Sequence, residues 1–159
     1  MKCIMFDMDG TLIDSIGGWF GSCSYFLKDM NLEETDELKE MFKGKKLYAR
    51  GIAIKEYYNL DLTADEIYAK NLKYVKEGYD DIYEPKENVI EALDYLKDKG
   101  YKISLNTATN IGLCRNCLER TGLIKYFDYI QTCDDCGYLK DDVRYYDWAI
   151  KKHNEEVED

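Results

Sequence analysis

The chain has 159 residues, 45% of them hydrophobic, which suffices for one packed domain or one domain carrying a small insert. No run of about eighteen apolar residues occurs, which excludes a membrane-spanning helix. A formal net charge of -10 argues against nucleic acid as the main partner, but not against a small phosphorylated substrate, whose charge local cations can offset.

Residues 3–6 read as a buried strand, and the apolar run ends in Asp7-Met8-Asp9-Gly10-Thr11. Side chains alternate along a strand, so Asp7 and Asp9 point to the same side. They stand at the carboxyl end of the strand, where open α/β sheets place ligands. Paired carboxylates there serve either a hard cation such as Mg²⁺ or a division between nucleophile and acid/base. Gly10 lets the backbone approach an anion, and Thr11 offers a hydroxyl. An EF-hand is excluded: counted from Asp7, the positions that need Gly and Glu hold Leu12 and Gly18.

From about Ser15 to Glu84 the pattern is helical. Phe20, Tyr25, Phe26 and Leu27 form one apolar face, and Leu38, Met41 and Phe42 another. Thr63-Ala64-Asp65-Glu66 is a capping box opening a helix with Tyr68, Leu72, Val75 and Tyr79 on one face. Lys45, Lys46 and Arg50 make a basic patch in an acidic chain, either a solvated helix end or a contact for a substrate's polar part. The single proline, Pro85, marks the return to the main domain. A helix through Val89, Leu93 and Leu96 stops at Lys99-Gly100. A second strand, Tyr101–Leu105, leads into Asn106-Thr107-Ala108-Thr109. A helix through Leu113, Cys117 and Leu118 follows. Tyr129–Thr132 is a third strand, and Val143, Tyr146 and Ile150 define a last helix. Alternating strands and helices predict an α/β fold with a Rossmann-like parallel sheet.

The string Asp7-Met8-Asp9-Gly10-Thr11 resembles the first motif of the haloacid dehalogenase superfamily, and three later stretches are compared with that family in order. The resemblance implies Asp7 as the phosphoryl-accepting nucleophile and Asp9 as general acid/base, with Mg²⁺ held at Asp7 and Asp9. It implies Thr107, with the amides from Ala108 onward, as the phosphate cradle beside a helix N-terminus, and Lys140 as the neutralising cation. Thr107 or Thr109 as a mere helix cap is the plainer reading of one position alone; the order and spacing of the motifs favour phosphate binding. Asp141-Asp142 stands where the family usually has Pro, which loosens the match at Lys140. The implied architecture is a core of residues 1–15 and 84–159 with a helical cap at 16–83, similar to the phosphoglycolate phosphatase and β-phosphoglucomutase branch. The implied activity is a Mg²⁺-dependent phosphatase acting on a small phosphorylated metabolite, with a sugar phosphomutase as the alternative.

The fourth motif, acidic residues after another strand, has no clear counterpart: Glu158-Asp159 follows no apolar strand. A fragment, a degenerate relative and one partner of an assembly all remain open. Without the missing strands the 3–6 strand is a sheet edge, which an assembly partner would cover; if the chain stops at Asp159, self-association through that strand, weak Mg²⁺ binding and slow turnover are expected. Cys114-x2-Cys117 and Cys133-x2-Cys136 have the spacing of a four-thiolate zinc site, the basis of a non-catalytic, metal-binding alternative. Six cysteines without a signal peptide point to free thiols in a cytoplasmic setting. A single histidine, His153, disfavours Ser-His-Asp or Cys-His chemistry.

Overall fold

The computed structural model describes residues 3–155. The Glu158 and Asp159 carboxylates lie outside the described residues. The chain divides into two compact units, one made of residues 1–15 and 79–159, the other of Ile16–Gly78.

The first unit is built on three parallel strands: β1 (Cys3–Phe6), β2 (Lys102–Thr107) and β3 (Tyr129–Thr132), in the order β1-β2-β3. Ile4 and Phe6 lie opposite Ile103 and Leu105, and this apolar set fills one face. The other face carries Ser104 and, opposite one another, Asn106 and Gln131, all buried. Around the strands run α5 (Val89–Asp98), α6 (Ile111–Arg120), the short α7 (Cys133–Cys136) and α8 (Val143–Glu155).

The second unit is a bundle of α1 (Ile16–Asp29), α2 (Asp36–Phe42), α3 (Leu47–Tyr58) and α4 (Ala64–Glu77). Its core is Cys23, Phe26, Leu27, Leu38, Phe42, Ala53, Ile54 and Ile67. Gly51 permits the close approach of α3 to α4: a Cβ there would meet Ile67 Cγ2 at 3.3 Å. The capping box at Thr63 and Glu66 is formed, and the Thr63 amide and hydroxyl hold the Glu66 carboxyl below its usual range.

The chain leaves the first unit after Ser15 and returns at Tyr79, earlier than Pro85 suggests. A π-helical turn, Gly78–Ile82, makes the return. From Tyr79 onward the chain belongs with the α/β unit: Tyr79 stacks edge-on against Tyr83 at 5.1 Å, and Arg120 of α6 donates to Tyr79 O and Tyr83 O. The outgoing and returning strands of chain are clasped together. Ile13 and Pro85 form an antiparallel bridge, the Asp14 amide donates to Glu84 O (3.0 Å), and the Lys86 amide donates to Leu12 O (2.9 Å).

Three helical faces differ from the sequence pattern. In α1, Phe20 and Tyr25 are exposed, while Ser22 and Cys23 join Phe26 and Leu27 inside. In α4 Val75 is buried as expected, and so is Tyr79 just beyond the helix, but Ile67 and Asn71 take the place of Tyr68 and Leu72 inside, with Ile67 packed against Gly51. In α8, Val143, Tyr146 and Ile150 face outward, and Tyr145 and Ala149 are buried. The cause is the polar sheet face. Gln131 Nε2 donates to Tyr145 O, and the Tyr145 hydroxyl is placed between Gln131 O and Thr107 O.

Candidate active site

Asp7 emerges from the carboxyl end of β1. Lys140, far away in sequence, reaches it with Nζ 2.7 Å from Asp7 Oδ1. The geometry that brings Lys140 there is local. Thr132, the last residue of β3, caps α7 through a capping box with Asp135, and Gly137, at φ 72°, ends that short helix. The loop that follows turns back over the strand ends with Lys140 on it. Asp142 fills the place where Pro was expected: its carboxylate accepts from the Arg144 amide at 2.9 Å and from the Arg144 guanidinium, which holds the carboxyl below its usual range. The Asp7 side chain is 43% exposed, so a ligand can reach it.

Asp9 sits differently. Its Oδ1 accepts from Ser15 Oγ at 2.6 Å and from the Tyr79 hydroxyl, and its Oδ2 accepts from Thr109 Oγ1 at 2.6 Å. Between the carboxylates and Ser15 the chain makes a tight loop: the Gly10 amide donates to Ile13 O and the Thr11 amide to Met8 O. Gly10 is at φ 74°, a conformation that favours glycine. The amides of Gly10 and Thr11 are thus used inside the loop, and neither faces an anion. Gly10 serves the turn, and the Thr11 side chain is exposed.

Beside β1, β2 ends in Thr107, fully buried, whose Oγ1 accepts from the Thr109 amide at 3.1 Å. That bond uses the oxygen as acceptor and leaves its proton as a donor. Ala108 is exposed on the same turn. The cap of α6 is neither threonine. Asn110 does this, with Oδ1 accepting from the Gly112 amide at 2.9 Å. Thr107, Ala108 and Thr109 therefore stand just before a helix N-terminus, which attracts anions.

The structure thus brings Asp7, Asp9, Thr107 and Lys140 to one end of the sheet. Sequence reasoning missed Ser15 and Tyr79 and read Thr109 only as a cap. Ser15 looked like the start of the helical segment and Tyr79 like part of a helix face.

The cysteines do not converge. Among the described residues no group of three or more His, Cys, Asp and Glu side chains is placed to hold a metal. Cys114 and Cys117 are buried in α6, where their thiols approach Thr109 O and Tyr83 O. Burial, with the Asp9 charge adding to it, pushes the Cys114 thiol up to about 12; burial pushes Cys117 up to about 11, against the pull of Arg120. Neither is poised as a thiolate. The four-thiolate alternative therefore has no site. For a hard cation the donor chemistry fits in part: Asp7 offers a carboxylate and Asp9 a main-chain carbonyl, both oxygen donors of the kind Mg²⁺ takes. The Asp9 side chain is occupied by its three hydroxyl partners.

In the helical unit, Lys46 and Arg50 border a cavity of about 420 Å³ lined mainly by Trp19, Phe20, Leu47 and Tyr68. Arg50 is committed to the bundle: its guanidinium lies 4.5 Å over the Phe20 ring and Nε donates to Lys45 O. Lys45 Nζ donates to Met41 O. Among the described residues no helix is long and apolar enough to cross a membrane.

Comparison with known proteins gives the family and the fold. Residues 4–159 match the family described as haloacid dehalogenase-like hydrolase, and the chain belongs to that family. It is 25% identical over 158 residues to a phosphoglycolate phosphatase of Agrobacterium fabrum, covering 97% of this chain and 68% of the relative. It is 30% identical over 146 residues to the pyrophosphatase PpaX of Bacillus velezensis, covering 89% and 64%. The chain thus spans about two thirds of the length of these relatives. A Thermotoga maritima protein assigned as a beta-phosphoglucomutase has the same fold, with a TM-score of 0.84, 23% identity, and coverage of 97% of this chain and 71% of that one. So does the Bacillus subtilis HAD-hydrolase YfnB, whose crystal structure holds magnesium, with a TM-score of 0.76, 17% identity, and coverage of 94% and 73%.

Proposed function

We propose that this haloacid dehalogenase-like chain is a phosphatase that transfers a phosphoryl group from a small phosphorylated metabolite to Asp7 and then to water. The observation that carries this reading is the pairing of Lys140 Nζ with Asp7 Oδ1 at 2.7 Å, at a strand end that also holds Asp9 and Thr107. A carboxylate that only stabilised the fold would not need to stay half exposed.

In this reading an Asp7 oxygen attacks phosphorus and the ester P–O bond breaks. Asp9 gives a proton to the departing oxygen. Asp9 then takes a proton from a water molecule, whose oxygen attacks phosphorus and releases phosphate and free Asp7. Lys140 and the Thr107 hydroxyl meet the negative phosphoryl oxygens, which repel an anionic nucleophile unless neutralised. The Asp7 carboxylate and the Asp9 main-chain carbonyl would hold a magnesium ion, whose charge offsets that of the phosphoryl group when bound. The relatives named for phosphoglycolate and pyrophosphate hydrolysis support a small phosphorylated substrate.

The test is Asp7→Asn, assayed on an aryl phosphate with Mg²⁺ present. Turnover is expected to fall by about 10⁴ or more while the melting temperature stays near the parent's, since the change removes a nucleophile and keeps its shape. Undiminished turnover in the variant, or a parent protein inert to every phosphate ester tried, would overturn the reading.

A further inference from the structure

Asp9 is held from the two points where the helical insert begins and ends. Ser15 is the last residue before the insert and Tyr79 the first after it, both are fully buried, and both hydroxyls donate to Asp9 Oδ1. Thr109, on the turn after Thr107, donates to Oδ2. The two carboxylate oxygens therefore have unequal surroundings. Oδ1 is anchored by two donors. Oδ2 faces one threonine hydroxyl, which can donate when Asp9 is a carboxylate and turn to accept when Asp9 carries a proton. An acid/base group needs that asymmetry: one oxygen fixed so that the other is aimed.

Tyr79 is the more constrained of the two anchors. Its ring lies edge-on to Tyr83, its carbonyl accepts from Arg120 Nε at 3.4 Å, and Arg120 also binds Tyr83 O and, at 2.7 Å, Glu84. Arg120 closes α6, the helix whose first turn follows Thr107 and Thr109. One helix thus supports the phosphate-side turn at its start and the Tyr79 segment at its end. The Asp9 charge also acts on the thiols of Cys114 and Cys117, and Asp7, two residues before it, is paired with Lys140.

We propose that Tyr79, with Ser15, is a positioning residue for the acid/base Asp9: their hydroxyls fix Oδ1 so that Oδ2 is the oxygen that carries the proton. This rests on the phosphatase reading above. The proposal makes a chemical distinction between substrates. An alkyl phosphate needs a proton on its departing oxygen, whereas an aryl phosphate releases a stable phenolate without one. Both need Asp9 to take a proton from water in the second step.

The test is Tyr79→Phe, which keeps the buried ring, with Ser15→Ala as a second variant that empties the same oxygen. Turnover of an alkyl phosphate is expected to fall at least tenfold, with KM unchanged because neither residue touches substrate. With an aryl phosphate the variants should release one equivalent of phenol in a burst and then turn over slowly, because the aspartyl-phosphate waits for water. An equal fall on both substrates without a burst, a change in KM alone, or full turnover would overturn the proposal. If parent and variants are inert to all phosphate esters, the phosphatase reading fails separately. The positioning claim is then decided by a crystal structure of Tyr79→Phe: an Asp9 carboxylate turned from its parent orientation supports it, and an unmoved one overturns it.

Discussion

The interior of the helical unit is Cys23, Phe26, Leu27, Leu38, Phe42, Ala53, Ile54 and Ile67, with only Ser22 and Asn71 as buried polar company. The α/β unit buries Ile103, Leu105, Leu93 and Leu118, but also Ser15, Ser104, Asn106, Thr107, Thr109, Gln131 and Thr132. Most of those polar residues lie on or just beyond β2 and β3, several of them at the strand ends that hold the two carboxylates. A buried hydroxyl or amide costs stability unless it is bonded. The α/β unit spends its interior on orienting groups, and the helical unit on close packing. Damage should therefore be read out differently in the two.

The largest effect on stability is expected in the helical unit. Phe26 is 1% exposed, and Phe26→Ala leaves a cavity among Cys23, Leu38 and Ile54. A loss of about 3–5 kcal/mol is expected in denaturant unfolding; a loss under about 1 kcal/mol would mean that the bundle repacks freely, and the contrast would collapse.

A smaller effect is expected at Asp128 in the α/β unit. Its carboxylate accepts from Lys97 Nζ at 2.7 Å, from the Ile103 amide at 2.8 Å and from Lys102 Nζ at 3.3 Å. Burial works to raise its pKa, but these bonds prevail and lower it. A lowered carboxyl stabilises the fold fully above the ordinary range near ~4, and this contribution fades as the pH drops through the folded-state value. Asp128→Asn should cost about 1–2 kcal/mol at pH 7, and the gap from the parent should narrow in urea melts near pH 3. A gap that stays constant with pH would assign the loss to shape alone.

The smallest effect is expected at Thr63, an exposed cap at the start of α4. Thr63→Ala removes the hydroxyl half of the capping box, leaves the residue 63 amide bonded to Glu66, and should cost about 1 kcal/mol, or roughly 3 °C in melting temperature. No change at all would show that packing on Ile67 and Val75 fixes α4 without its cap.

The sequence was most legible where local chemistry decides. Cys3–Phe6 and Tyr129–Thr132 were readable as strands to the residue, and the Thr63 box as a helix start, because each depends on neighbours in sequence. Asp7, Thr107 and Lys140 could be picked out through the family resemblance; no spacing argument alone would have joined Lys140 to Asp7. Helix faces were harder. Tyr145 is inside and Tyr146 outside because of what Gln131 offers across the chain, which periodicity does not see. Tyr79 was hidden for a related reason: a tyrosine in a helical run reads as packing until its hydroxyl has a partner.

The clasp between Leu12–Asp14 and Glu84–Lys86 has one more consequence. It brings the two ends of the helical insert together by hydrogen bonds that belong entirely to the α/β unit. Seen from that unit, the whole bundle is a loop whose mouth is already shut. Closing a longer loop is cheap, about 0.6 kcal/mol for each doubling in length. The insert's size and sequence are thus nearly free of the sheet's stability, and the clasp is a graft point at which one bundle can be exchanged for another while Asp7, Thr107 and Lys140 stay in place.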